Sequence, residues 1–142
     1  MKSLAVILLS LLTFAAYAGT KPQDQKEIRK LAFDGRNISL VNDEGQCALA
    51  RSDDSLLRLD VKWPCQFSQN FLGKAVLENY LSADIFMVQH SNRAAPPDTN
   101  CTTDLQAIRY FKGHVELAPV HQVERCNIRR WDQKIFVGQF DW

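Results

Sequence analysis

The sequence predicts a mostly β fold, a small antiparallel sandwich or flattened barrel stapled by disulfides, with a short N-terminal helix. An α+β arrangement is the alternative. Three observations favour the β fold: a regular hairpin at Gln46–Cys65, about eight short apolar segments separated by turn residues, and four cysteines in a chain that carries an export signal.

The N-terminus has the three parts of a secretory signal peptide. Lys2 supplies a positive charge, Leu4–Ala16 an apolar run, and Ala16-Tyr17-Ala18 a small-x-small cleavage site. The alternative, a membrane anchor, is disfavoured because this apolar run is too short to cross a hydrocarbon core about 30 Å thick. We therefore expect residues 1–18 to be removed and residues 19–142 to form a single exported β-rich domain.

The hairpin at Gln46–Cys65 is the most regular part of the chain. Its second strand alternates apolar and charged residues from Leu57 to Trp63, which is typical of a strand with one buried face. Ser52-Asp53-Asp54-Ser55 has the composition of a turn between the two strands. Pro64 ends the second strand because it cannot donate a ladder hydrogen bond.

The four cysteines are Cys47, Cys65, Cys101 and Cys126, and an even count in an exported chain indicates two disulfides. Three pairings are possible. We favour Cys47–Cys65 with Cys101–Cys126, because each pair then brackets a plausible hairpin. A site in which all four thiolates bind a metal is disfavoured by the absence of C-x2-C or C-x4-C spacing.

Upstream of the hairpin the predictions are a short helix, a strand and a turn. Lys21–Ala32 begins polar and could form a helix with Ile28, Leu31 and Ala32 on one face, ended by Asp34-Gly35. Asn37–Val41 is a strand candidate, and the segment from Asn42 to Gly45 is a turn.

Downstream of the hairpin, the near-continuous apolar run within Asp84–His90 suits a strand covered on both sides. Ser91–Asn100 is the longest predicted loop, and Thr102–Phe111 could be a strand or a short helix. Trp131–Trp142 is predicted to be a terminal strand, with Gly138 marking a bulge.

Charge and motifs exclude several functions. The chain has 17 basic and 16 acidic residues, and the loss of Lys2 with the signal peptide leaves the two numbers equal. Nucleic acid is therefore not an expected partner, since binding it needs a basic surface. The nucleophile and metal motifs G-x-S-x-G, H-E-x-x-H and S-x-x-K do not occur. We expect no cofactor, no bound metal and no catalytic residue, and we lean against an enzyme.

Partner-binding residues are predicted in two places. Arg125, Arg129 and Arg130 precede Trp131, and Arg and Trp are enriched at interface hot spots. Pro96 and Pro97 lie in the longest loop, where binding residues concentrate on a rigid scaffold.

These observations favour a periplasmic or secreted binding protein. Its architecture is similar in outline to the periplasmic lysozyme inhibitors of Gram-negative bacteria, a resemblance of architecture that carries over no residue. We expect a protein partner, with an inhibitor or immunity role against a cell-wall hydrolase or envelope toxin, and no stable membrane insertion after signal cleavage. Two alternatives stay open: a small envelope enzyme using His90, His114 or His121, and a structural or assembly factor of the envelope.

Overall fold

The computed structural model describes residues 29–126 and 130–142, so the predicted signal peptide lies outside the described residues. The described part contains ten strands and one short helix: β1 (Lys30–Phe33), β2 (Arg36–Asp43), β3 (Gln46–Ala50), β4 (Leu56–Lys62), β5 (Gln66–Phe67), β6 (Glu78–Tyr80), β7 (Ala83–Arg93), β8 (Cys101–Phe111), β9 (His114–Leu117), β10 (His121–Val123) and α1 (Gln133–Val137).

The strands form two antiparallel sheets. The first sheet is a meander in the order β1-β2-β3-β4. The second has the order β10-β8-β7-β5, with β6 also paired to β7 and β9 to β8. The mostly β, antiparallel fold predicted from the sequence is therefore confirmed. Over the residues that the structure describes, the two sheets form an open sandwich and do not close into a barrel.

One apolar core fills the space between the sheets. The first sheet contributes Leu59 and Val61 from β4, which confirms the buried alternation predicted for this strand. The second sheet contributes Phe86, Val88 and Ile108 to the same core.

A second apolar core lies on the other face of the second sheet. There Ile85 and Met87 of β7 pack with Leu105 of β8 and with Phe136 and Phe140 from the C-terminal segment. Because successive residues of a strand point to opposite faces, these two cores explain the continuous apolar run in β7. The second sheet is covered on both sides, as that run predicted.

The start of the described chain corrects the end of the predicted N-terminal helix. Leu31 and Ala32 belong to β1, with Leu31 buried and Ala32 exposed, while the predicted helical residues before Arg29 lie outside the described part. Asp34 and Gly35 have φ angles of 49° and 67° and form the tight turn between β1 and β2. Asp-Gly with both φ values positive is typical of a two-residue hairpin, so this dipeptide joins two strands and does not end a helix.

The C-terminal segment corrects a second prediction. It forms the helix α1 in place of a terminal strand, and Asp132 caps it by accepting a hydrogen bond from Lys134 N at 3.0 Å. Gly138 is the C-cap and not a bulge; a Cβ atom there would lie 2.8 Å from the Lys134 carbonyl oxygen. Phe136 and Phe140, four residues apart, both reach the second core.

Both disulfides join cysteines in chain order, as predicted. Cys47–Cys65 ties the start of β3 to the residue that follows β4 and is buried in the first core. Cys101–Cys126 ties the start of β8 to the segment after β10 and is half-exposed. Among the described residues, no helix has the length and apolar character needed to cross a membrane.

Candidate functional site

A tight turn at Asn70–Lys74, which we call the apical turn, projects from the edge of the second sheet. A bridge between Gln69 and Ala75 closes its base, and Asn70 N donates to the Lys74 carbonyl oxygen at 2.9 Å. The Asn70 side-chain oxygen accepts from Leu72 N at 2.9 Å and from Lys74 N at 3.1 Å. Gly73 supplies the positive φ of 71° that the turn requires. The backbone of the apical turn is therefore held by its own hydrogen bonds.

This turn displays two large apolar side chains to solvent. Phe71 is 74% exposed and Leu72 is 80% exposed, more than any other large hydrophobic residue in the described part of the chain. Burying a side chain of this size is worth about 1.5–3 kcal/mol relative to leaving it exposed. Polar residues are the usual composition of a solvated turn. The stability of the fold therefore does not explain why two apolar residues are exposed here, and binding to another molecule would.

The segment that contains Arg130 and Trp131 packs against the apical turn. The Arg130 guanidinium carbon lies 5.3 Å from the centre of the Phe71 ring, within the range of a cation–π interaction. Trp131 is half-buried against the second core, and its indole N–H donates to the Gln89 side-chain oxygen at 2.8 Å. That oxygen also accepts from Ser68 Oγ at 3.2 Å, next to the base of the turn.

Trp131 is thus an anchor, while Arg130 is presented beside an exposed aromatic ring. Lys74 adds a second exposed cation in the turn itself. Neither Lys74 nor Arg130 forms an ion pair with another residue of the described ranges. The apical turn and Arg130 therefore form one surface, apolar at its tip and positively charged at its sides.

A scan against protein-family models and searches of curated proteins and of solved structures found no match. We therefore infer the function from the geometry of the molecule.

The predicted binding residues do not form one surface. Arg130 lies beside the Phe71 ring of the apical turn, and Trp131 anchors the same segment on Gln89. Arg125 is exposed beside the Cys101–Cys126 disulfide, and its carbonyl oxygen accepts from Thr103 Oγ1 at 2.5 Å. It lines a surface depression with Thr99 and Asn100 at the base of the loop between β7 and β8. Nothing in the structure brings Arg125 to the Phe71 ring.

The other predicted binding residues are Pro96, Pro97 and Arg129. The two prolines are exposed in the loop at residues 94–100, which is shorter than predicted because β7 continues to Arg93. Arg129 lies outside the described residues.

Sequence reasoning missed Phe71 and Leu72. The turn around Gly73 contains these two apolar residues, to which the sequence pattern attaches no function. The usable signal was their position. A Phe-Leu pair between Asn70 and Gly73 contradicts the polar composition expected of a turn.

The three histidines lie apart in the fold. His90 bonds the Pro64 carbonyl oxygen through Nδ1 at 2.7 Å, on the face of β7 opposite to Gln89. His121 is exposed on β10, and His114 is exposed at the start of β9, opposite Phe111. This dispersion gives the histidine-enzyme alternative no shared site. No group of three or more His, Cys, Asp or Glu side chains suited to a metal occurs among the described residues.

Proposed function

We propose that the protein is an exported, non-catalytic binding protein whose apical turn inserts Phe71 and Leu72 into an apolar pocket of a protein partner. Its role is that of an inhibitor or immunity protein in the periplasm, acting on a cell-wall hydrolase or an envelope toxin. The single observation that carries the proposal is the rigid turn with two exposed apolar residues. Such a turn loses little conformational freedom on binding, which favours affinity.

The charges beside the apolar tip indicate which groups surround the partner's pocket. Arg130 and Lys74 flank the apolar tip, so we expect acidic groups at the rim of the partner's pocket. Catalytic clefts of cell-wall glycosidases contain such carboxylates by the nature of their chemistry. A membrane surface is the weaker alternative, because these two cations belong to a mature chain with no net charge, which has little attraction to anionic lipid. The two disulfides are compatible with an oxidising compartment such as the periplasm.

The test compares four purified proteins: the wild type, the double variant F71S/L72S, R130Q, and the control L81S. Leu81 is 64% exposed in a different turn, so its substitution removes exposed apolar area away from the site. Each protein is assayed against a panel of purified glycosidases, amidases and peptidases that degrade the cell wall, and against envelope-active toxins.

We expect the wild type to inhibit a member of the panel and F71S/L72S to lose inhibition by a factor of about 100 or more. Each hot-spot side chain is worth about 2 kcal/mol, and about 1.4 kcal/mol is a factor of ten. R130Q should weaken inhibition more at low salt than at high salt, and L81S should inhibit like the wild type. If F71S/L72S inhibits as well as the wild type, the apical turn is not the binding surface. Sedimentation with phosphatidylglycerol vesicles that depends on Phe71 and Leu72 would assign the turn to a membrane and overturn the proposal.

A further inference from the structure

A cleft opens between the two sheets at the end of the sandwich where three hairpin turns meet, those of β1–β2, β3–β4 and β8–β9. Its cavity is about 230 Å³, and no residue of the apical turn lines it. Its walls include Phe33, Leu57 and Val115 with the core residues Phe86 and Ile108. Protein interiors are close-packed, so an apolar gap of this size at the edge of the core is a departure from the rule.

The aromatic walls are fixed in place by one another. The Phe33 ring meets the Tyr110 ring edge to face, with centroids 5.0 Å apart, and meets the Phe86 ring at 5.9 Å. Because these rings come from both sheets, the cleft is preformed and does not depend on one mobile side chain. A cavity of about 150 Å³ lined by apolar residues binds benzene, and sites for drug-sized ligands begin near about 300 Å³. The cleft therefore fits one phenyl ring or a short alkyl chain.

The charged rim gives this apolar site a polar end. Asp53 accepts hydrogen bonds from Ser55 Oγ at 2.6 Å and Ser55 N at 3.1 Å. These bonds, with a smaller contribution from Arg51, hold the pKa of the Asp53 carboxyl below its usual range. Asp53 therefore presents a negative charge at the rim, two residues along the chain from Arg51.

Arg36 is the rim cation that stands beside an aromatic wall of the cleft. It pairs directly with Phe33 across the β1–β2 hairpin. Residues directly opposite in an antiparallel pair project from the same face of a sheet, so Arg36 stands on the cleft side beside Phe33. It forms no ion pair with another described residue, in contrast to Arg58 and Arg109. The remaining rim anion, Asp34, lies in the turn itself.

We infer that this cleft binds a small apolar carboxylate, whose ring or alkyl chain packs on Phe33, Phe86 and Tyr110 and whose carboxylate bonds the Arg36 guanidinium. Two sources share this chemistry: a free aryl or alkyl carboxylic acid, and the C-terminal apolar residue of a peptide. The inference is independent of the proposed function of the apical turn.

In the test, the full protein is titrated with 3-phenylpropionate, 3-phenylpropan-1-ol and 3-phenylpropylamine. Binding is measured by backbone amide NMR shifts and by calorimetry. The wild type is compared with R36Q, with the control R51Q, and with F71S/L72S. Arg36 and Arg51 are both exposed, so neither substitution disturbs the core. The tripeptide Ala-Ala-Phe, with a free or an amidated C-terminus, separates the two sources.

We expect shifts confined to the cleft, with the carboxylate binding about tenfold more tightly than the alcohol, as one charge-assisted hydrogen bond allows. R36Q should abolish that preference, while R51Q and F71S/L72S should keep it. Binding of the free-acid but not the amidated peptide would identify a peptide C-terminus; binding of 3-phenylpropionate alone would identify a free acid. The inference is overturned if no probe binds, if the amine binds as tightly as the carboxylate, or if R36Q leaves the preference unchanged.

Discussion

At the scale of single residues, Gln106 shows how one side chain joins the two sheets. It lies on β8, is fully buried, and its side-chain oxygen accepts from Asp60 N at 2.8 Å. Its amide nitrogen donates to Asp60 Oδ2 at 3.1 Å and to the Ala118 carbonyl oxygen at 2.9 Å. The side-chain amide of Gln106 therefore forms hydrogen bonds with β4 of the first sheet and with Ala118, directly after β9, in the second sheet.

Replacing Gln106 with leucine should lower the free energy of unfolding by about 2–4 kcal/mol. The new side chain leaves Asp60 N and the Ala118 carbonyl without their partner, and each unsatisfied buried group costs about 1–3 kcal/mol. The matched control is Gln122→Leu, which removes an exposed amide that donates to Asp104 at 2.7 Å. Urea denaturation of both variants measures the difference. Equal losses for Q106L and Q122L would contradict this role.

The sequence could predict the segment that holds Gln106 but not its environment. Thr102–Phe111 was open to a strand or a helix, and the structure makes it the central strand β8. Gln106 alternates with Leu105 and Ala107, a pattern that by itself assigns the glutamine to a solvated face. Its burial depends on Asp60, which is 46 residues away in the chain, and no local pattern reports such a contact.

At the scale of elements, α1 shows why the sequence predicts a strand in the last twelve residues where the structure has a helix. In a strand, Ile135 and Val137 would lie on one face and Phe136 and Phe140 on the other, which is the prediction from the sequence. Phe136 and Phe140, four residues apart, fit a helical turn equally well, and the choice is made by the cap at Asp132 and the packing on β7. In a helix this short, tertiary packing contributes more than intrinsic propensity.

The Phe136→Ala variant tests that packing. We expect it to lower the free energy of unfolding by about 3–5 kcal/mol, because Phe136 is fully buried in the second core and its loss leaves a cavity. Phe71→Ala is the matched control, with an expected change within about 0.5 kcal/mol because that ring is exposed. Urea denaturation followed by circular dichroism measures both. A small loss for F136A would mean that α1 is not an integral part of the second core.

At the scale of the whole molecule, the sequence reveals the frame, by which we mean the two sheets, better than it reveals the candidate sites. The frame follows from patterns within single segments: alternation in β4, the apolar run in β7, and turn residues between strands. The inter-sheet cleft is built from the ends of three hairpins that belong to both sheets. At the apical turn, Arg130 contacts Phe71 although the two residues are 59 positions apart in the sequence. Such sites appear only once the sheets are packed.

The two disulfides should respond differently to reduction, because they occupy different depths of this frame. Cys47 and Cys65 are buried in the first core, whereas Cys101 and Cys126 are half-exposed near the surface. A reductant must reach the sulfur atoms, so a mild phosphine reductant under native conditions should open Cys101–Cys126 first. Alkylation followed by peptide mass spectrometry identifies the order.

Both disulfides close loops of similar length, with sequence separations of 18 and 25. The chain-entropy model therefore gives each a similar effect on the unfolded state, about 3 kcal/mol. C101A/C126A should lose about that amount in urea denaturation and stay folded. C47A/C65A should lose more, because it also removes two sulfur atoms from the packed core between the sheets. If C47A/C65A is the less destabilised of the two, or if Cys47 and Cys65 are alkylated first, the first core is more open to solvent than the packing of β3 and β4 implies.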